Sequence, residues 1–146
     1  MKSRNANYKL LEAFKGFEQG AEEQRCGTSG NIASILFPYT PGDENHKSFY
    51  DLVSAPMLLA RLVSAGFSPI VEGQAGYKVT WTVILIHKET GCTLTFYDYK
   101  GASSFGASID GYNSKKFIAA VKKLTEALAD ERFPHPYDGC VVGEIA

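Results

Sequence analysis

Cysteine is sparse in this sequence, and odd in number. Cys26, Cys92 and Cys140 are the only three in 146 residues, and they stand far apart. A disulfide-stapled secreted domain would show paired cysteines, so these read as reduced thiols in a cytosolic compartment. No apolar stretch follows Met1–Asn7 that would serve as a signal peptide. No apolar run approaches the ~20 residues of a membrane span. An excess of either charge is missing too. Fifteen Lys and Arg against sixteen Asp and Glu leave a net charge of −1. That excludes the bulk basic field of a general nucleic-acid binder and the acidity of a DNA mimic.

The sequence also lacks catalytic and metal-binding signatures. There is no Cys-x2-Cys and no His-x3-His spacing for zinc. There is no Gly-x-Ser-x-Gly elbow, and neither a P-loop nor a dinucleotide fingerprint. Histidines 46, 87 and 135 show no motif linking them to a cysteine nucleophile. No metal and no cofactor is expected from these residues.

What is present is the material of one α+β domain over residues 1–146. At 45% hydrophobic residues the chain can bury a core. Asn7 can cap a first helix carrying Leu10, Leu11, Phe14 and Phe17, with Gly20 at its end. Ile32–Tyr39 is a short apolar run that fits a strand, and Pro38 either ends it or puts it at an edge. Ser48 with Asp51 opens a second helix. Ser54 caps a third, with Pro56 in its first turn and Gly66 as a left-handed stop.

The strongest pattern lies between Tyr77 and Tyr99. Tyr77, Val79, Trp81, Val83 and Leu85 alternate with Lys78, Thr80, Thr82, Ile84 and Ile86. Lys88-Glu89-Thr90-Gly91 is a turn, and Cys92–Tyr99 returns. Val83–Ile86 is apolar on both faces, so this strand should be central and covered. The expected architecture is an antiparallel sheet built around this hairpin and packed against helices from both ends of the chain. A last helix follows Asn113 or Ser114, with Phe117, Val121, Leu124 and Leu128 on one stripe. Cys140–Ala146 is an apolar tail that can pair with a sheet edge.

Four groups of residues carry chemistry, each with a plainer alternative. The Gly- and Ser-rich segment 100–112, with Ser103, Ser104, Phe105 and Tyr112, reads as a long loop before a helix. It is a phosphate cradle or an ordinary connector. Asp98, between Tyr97 and Tyr99, is a functional acid or a hydrogen-bonded strand end. His135, held between two prolines beside Tyr137, is a site residue or part of a rigid strap. Lys115, Lys116, Lys122 and Lys123 line the outer face of the last helix. They form either a solvated face or a basic patch for phosphate or an acidic partner.

Trp81-Thr-Val-Ile-Leu, Gly91, Thr95-Phe-Tyr-Asp-Tyr-Lys-Gly101, a helix, and Pro134-His-Pro-Tyr-Asp-Gly-Cys-Val-Val-Gly143 together resemble small proteins of bacteriophages and mobile elements. The resemblance spans roughly residues 77–146. It implies a protein of the bacterial host cytoplasm that inhibits host machinery, CRISPR and nucleotide-signalling defences included. Its partner would be a host defence protein. The contacts would come from Tyr97, Asp98, Tyr99, Lys100, the loop and the Pro-His-Pro-Tyr strap. Two other readings stand beside it. One is a binder of, or enzyme on, a nucleotide-like ligand, using the loop with Asp98 and His135. The other is a weak nucleic-acid binder using the Lys115–Lys123 stripe.

Overall fold

β-Branched and aromatic residues favour an extended backbone, and Trp81–His87, with Thr82, Val83, Ile84 and Ile86 β-branched, forms the long strand β3 on that basis. A computed structural model describes residues 12–24, 49–71, 79–98, 105–111 and 114–130, the side chains of residues 50 and 51 excepted. The other strands are β1 (Phe17–Gln19), β2 (Ile70–Val71), β4 (Thr93–Asp98) and β5 (Phe105–Asp110). The helices are α1 (Phe49–Leu52), α2 (Ala55–Ser64) and α3 (Lys115–Ala129). The fold is α+β, with a five-stranded antiparallel sheet in the order β1-β3-β4-β5. β2 also pairs with β3, through Ile70 opposite Thr82 and Val71 opposite Trp81. β4 occupies one edge of β3, so β1 and β2 lie end to end along the other.

The hairpin forms as its sequence directs. Gly91 takes φ 75° and donates its N–H to His87 O at 2.7 Å, and His87 N–H reaches Cys92 O at 2.8 Å. All seven β3 side chains are buried, which agrees with a central, covered strand. The pairing with β4 is regular from Thr82, and Val79 and Thr80, expected within the strand, precede it; residues 77 and 78 lie outside the described residues.

α2 is bounded as expected. Ser54 Oγ accepts from Met57 N at 3.3 Å, and Pro56 sits in the first turn, where its missing N–H costs nothing. Gly66 adopts φ 101°, with Gly66 N–H to Val63 O and Phe67 N–H to Leu62 O, both at 3.0 Å. That double closure is a Schellman ending, and Leu62 and Phe67 are both buried beneath it. α3 starts at Ser114, whose Oγ accepts from Phe117 N at 3.2 Å.

One face of the sheet presents Trp81, Val83, Leu85, Leu94, Phe96, Ala107 and Ile109 to the helices. Phe49, Leu58, Leu62, Phe117, Val121, Leu124 and Leu128 meet them in one cluster. Burial of these side chains is the main driving force for the fold.

Three expectations are corrected. The first helix does not run to Gly20. A 3-10 turn spans Glu12–Phe14, and the chain enters β1 at Phe17. Gly16 weakens the helix there, and its carbonyl instead accepts Lys88 N–H at 2.8 Å. Phe14 and Phe17 are buried under either pattern, so their spacing of three did not distinguish helix from strand. Gly20 is not a helix stop. A Cβ there would stand 2.4 Å from Ile84 Cγ2, so glycine lets the two backbones close up.

The segment 100–112 is not one loop, because β5 occupies its second half in unbroken register with β4, from Thr93 opposite Asp110 to Asp98 opposite Phe105. β2 is a strand where none was expected. The Ile32–Tyr39 run and the Cys140–Ala146 tail lie outside the described residues.

Candidate binding surface

Asp98 ends β4 with its side chain on the buried side, 4% exposed. Its carboxylate accepts from Thr80 N–H at 2.7 Å, from Trp81 N–H at 3.0 Å and from the Thr80 hydroxyl. These bonds fasten the start of β3 to the end of β4. Burial alone would push the Asp98 pKa up. The hydrogen bonds from Thr80 and Trp81 outweigh it and hold the carboxyl below the usual range. An ionised carboxylate with its lone pairs so engaged is a clamp rather than a general acid or base.

Phe105 is also withdrawn from any surface. Its ring packs edge-on against Phe49 at 5.2 Å and near Phe96 at 6.1 Å. Tyr97 is half-buried on the face away from the helices, and its ring lies over Gly106. A Cβ on Gly106 would come within 2.4 Å of that ring. Of the expected contact residues, Tyr97, Asp98 and Phe105 are therefore structural in whole or in part. Tyr99, Lys100, Ser103, Ser104, Tyr112, His135 and Tyr137 lie outside the described residues.

His87 was not singled out by any motif, yet it is a buried polar residue at a junction. Its ring packs between Phe17 and Phe117, with centroids at 5.3 and 5.8 Å, and Nδ1 lies 2.7 Å from Thr90 Oγ1. Thr90 Oγ1 also accepts Cys92 N–H at 3.3 Å. Period-two counting from Val83 and Leu85 places His87 on the core side, and that was the available signal. Cys92 is half-buried, and its Sγ would stand 2.5 Å from a Cβ built on Gly111. Cys26 and Cys140 lie outside the described residues. Among the described residues, no three His, Cys, Asp or Glu side chains converge as a metal site would require.

The outward face of α3 remains. Lys115, Lys116, Lys122 and Lys123 are all exposed, opposite the stripe of Phe117, Val121, Leu124 and Leu128. Lys116 Nζ meets Glu89 Oε1 at 2.8 Å across an exposed gap to the β3–β4 turn. That hydrogen bond, then the attraction between the charges, raises the Lys116 pKa, and the same bond lowers that of Glu89. Lys122 and Glu126, four apart on the helix, are not joined among the described ion pairs. Three ammonium groups thus face outward with no described partner.

Comparison of the chain with family models, with curated proteins and with solved structures finds no match. Among the described residues no helix is long and apolar enough to cross a membrane.

Proposed function

We propose that this chain is a non-enzymatic binding protein that a phage or mobile element uses, in the bacterial cytoplasm, to inhibit a host defence protein such as a CRISPR effector. The observation that carries the choice of binder over enzyme is the Asp98 clamp. The best-placed candidate acid spends its carboxylate on Thr80 and Trp81. The nucleotide reading also loses part of its loop, since residues 105–110 are a paired strand. The defence target itself rests on the resemblance of residues 77–146 to phage and mobile-element proteins.

The test is expression of the chain in bacteria that carry a defined defence system, with phage plating and an affinity pull-down read in parallel. Restored plating, with a defence subunit captured at stoichiometric yield, is the expected result. Unchanged plating against CRISPR and cyclic-nucleotide defences alike would overturn the reading. A thermal shift with a nucleotide or cyclic dinucleotide would favour the small-molecule alternative.

A further inference from the structure

The outward face of α3 breaks a rule of helix design. The positive end of a helix dipole favours Asp and Glu in the first turn, yet this first turn holds no acid and begins Lys115-Lys116. Local rules are most often broken where function requires it. At 100° and 1.5 Å per residue, Lys115 and Lys122 share one row along the helix, and Lys116 and Lys123 share the next. Each row is about 10 Å long. Exposed Ala119 lies between the rows, so the floor of the rectangle is flat and nothing bulky fills it. The large exposed apolar side chains of the described residues are Leu52, Val63 and Val71, none of them on α3.

The four lysines with Glu126 carry +3, while the whole chain carries −1, so all other residues together carry −4. Outside this face the chain supplies no net positive charge to a long polyanion such as duplex DNA. The rectangle also lacks arginine and aromatic residues, the groups that grip phosphate in pairs and stack bases. A compact acidic patch matches both the sign and the size of the face.

We infer that the Lys115, Lys116, Lys122 and Lys123 face of α3 is a docking surface for an acidic patch on a partner protein. The inference deepens the proposed function and rests on it only for the identity of that partner. Docking would displace Glu89 from Lys116, because a single exposed ion pair is weak and exchangeable.

The probe is poly-L-glutamate, titrated into isotopically labelled protein, with amide shifts followed by NMR and a 20-base-pair duplex as comparison. Shifts confined to residues 114–126 and the β3–β4 turn are expected, with poly-L-glutamate bound more tightly than the duplex. Replacing Lys115→Gln, Lys116→Gln, Lys122→Gln and Lys123→Gln together should weaken binding about tenfold, the scale of four exposed ion pairs. The circular dichroism of that variant should be unchanged. Tighter binding of the duplex, shifts elsewhere, or equal binding by the variant would overturn the inference.

Failure here and failure of the inhibitor reading are distinguishable. If the variant restores plating and captures the defence subunit as well as the parent does, the docking face is wrong and the inhibitor reading survives. If poly-L-glutamate binds on α3 but plating is unchanged, the face survives and the inhibitor reading fails.

Discussion

Asp98 shows how far a single residue can be read before its neighbours are known. Its place at a strand end was legible, and so was the alternative of a hydrogen-bonded terminus. The partners were not, because Thr80 and Trp81 are 18 and 17 residues away and only the hairpin register unites them. Asp98→Ala should destabilise the protein by about 1–3 kcal/mol, since it orphans two N–H groups and a hydroxyl. Asp98→Asn should cost less, because one amide oxygen can still take both N–H groups, which share Oδ1. The folded-state pKa is depressed, so the stabilisation is full above the unfolded value of about 4 and is lost as pH falls through the folded one. Denaturant melts of parent and Asp98→Ala should therefore differ most near neutral pH and converge below about pH 4.

Tyr97 and Gly106 give a second test at this scale. Gly106→Ala alone should destabilise by about 1–3 kcal/mol, because the tyrosine ring occupies the space the new methyl needs. In a Tyr97→Ala background the same change should become neutral or favourable. Additive effects in that double-mutant cycle would show that the ring does not hold the glycine in place.

At the scale of elements, legibility followed the size of the side chains. The β3–β4 hairpin, α2 with both of its ends, and the apolar stripe of α3 were all readable, because large apolar residues repeat there at periods of two or 3.6. β5 was hidden because Phe-Gly-Ala-Ser-Ile-Asp does alternate, but with small residues whose local signal is that of a loop. β1 was hidden because pairing with β3 overrode a helical spacing. Of the candidate site, the lysine face was readable as a cationic stripe. What the sequence could not supply was that Phe105 turns inward; for Asp98, counting by two from Leu94 and Phe96 already places it on the core side.

The tie between α2 and α3 was equally invisible. Arg61 is buried, and its guanidinium donates to the carbonyls of Leu128 and Asp130, the latter at 3.2 Å. It thereby satisfies backbone groups at the C-terminus of α3, where a cation is favoured by the helix dipole. Arg61→Ala should cost about 2–3 kcal/mol, and Arg61→Lys should recover only part of it, for lack of the fork. Hydrogen exchange should quicken first at residues 125–129. Uniform quickening across the sheet would place the role of Arg61 elsewhere.

For the whole molecule, the notable feature is that β3 is buried on both faces. The helices cover Trp81, Val83 and Leu85, yet Thr82 and Ile84 on the opposite face are 1% and 0% exposed, and Ile86 is buried with them. A strand enclosed in this way opens only when the whole domain does, so its amides should exchange at the global unfolding free energy. The two-residue β2, on the edge and with Val71 exposed, should exchange far sooner. Enclosure also has a cost here, because among the described residues Thr82 Oγ1 is buried without a hydrogen-bond partner. A hydroxyl in that position forgoes its bond to water and gains nothing in return. Thr82→Val removes the hydroxyl, keeps the β-branched shape that suits a strand, and adds apolar burial. It should raise the unfolding free energy by about 1 kcal/mol, with the protection of residues 83–86 rising by the same amount. Thr95→Val is the control, since Thr95 is as deeply buried but has interaction partners, and it should be neutral or destabilising. A loss of stability in Thr82→Val would mean that the hydroxyl is paired after all, and the face opposite the helices would then be a polar contact layer rather than a dry one.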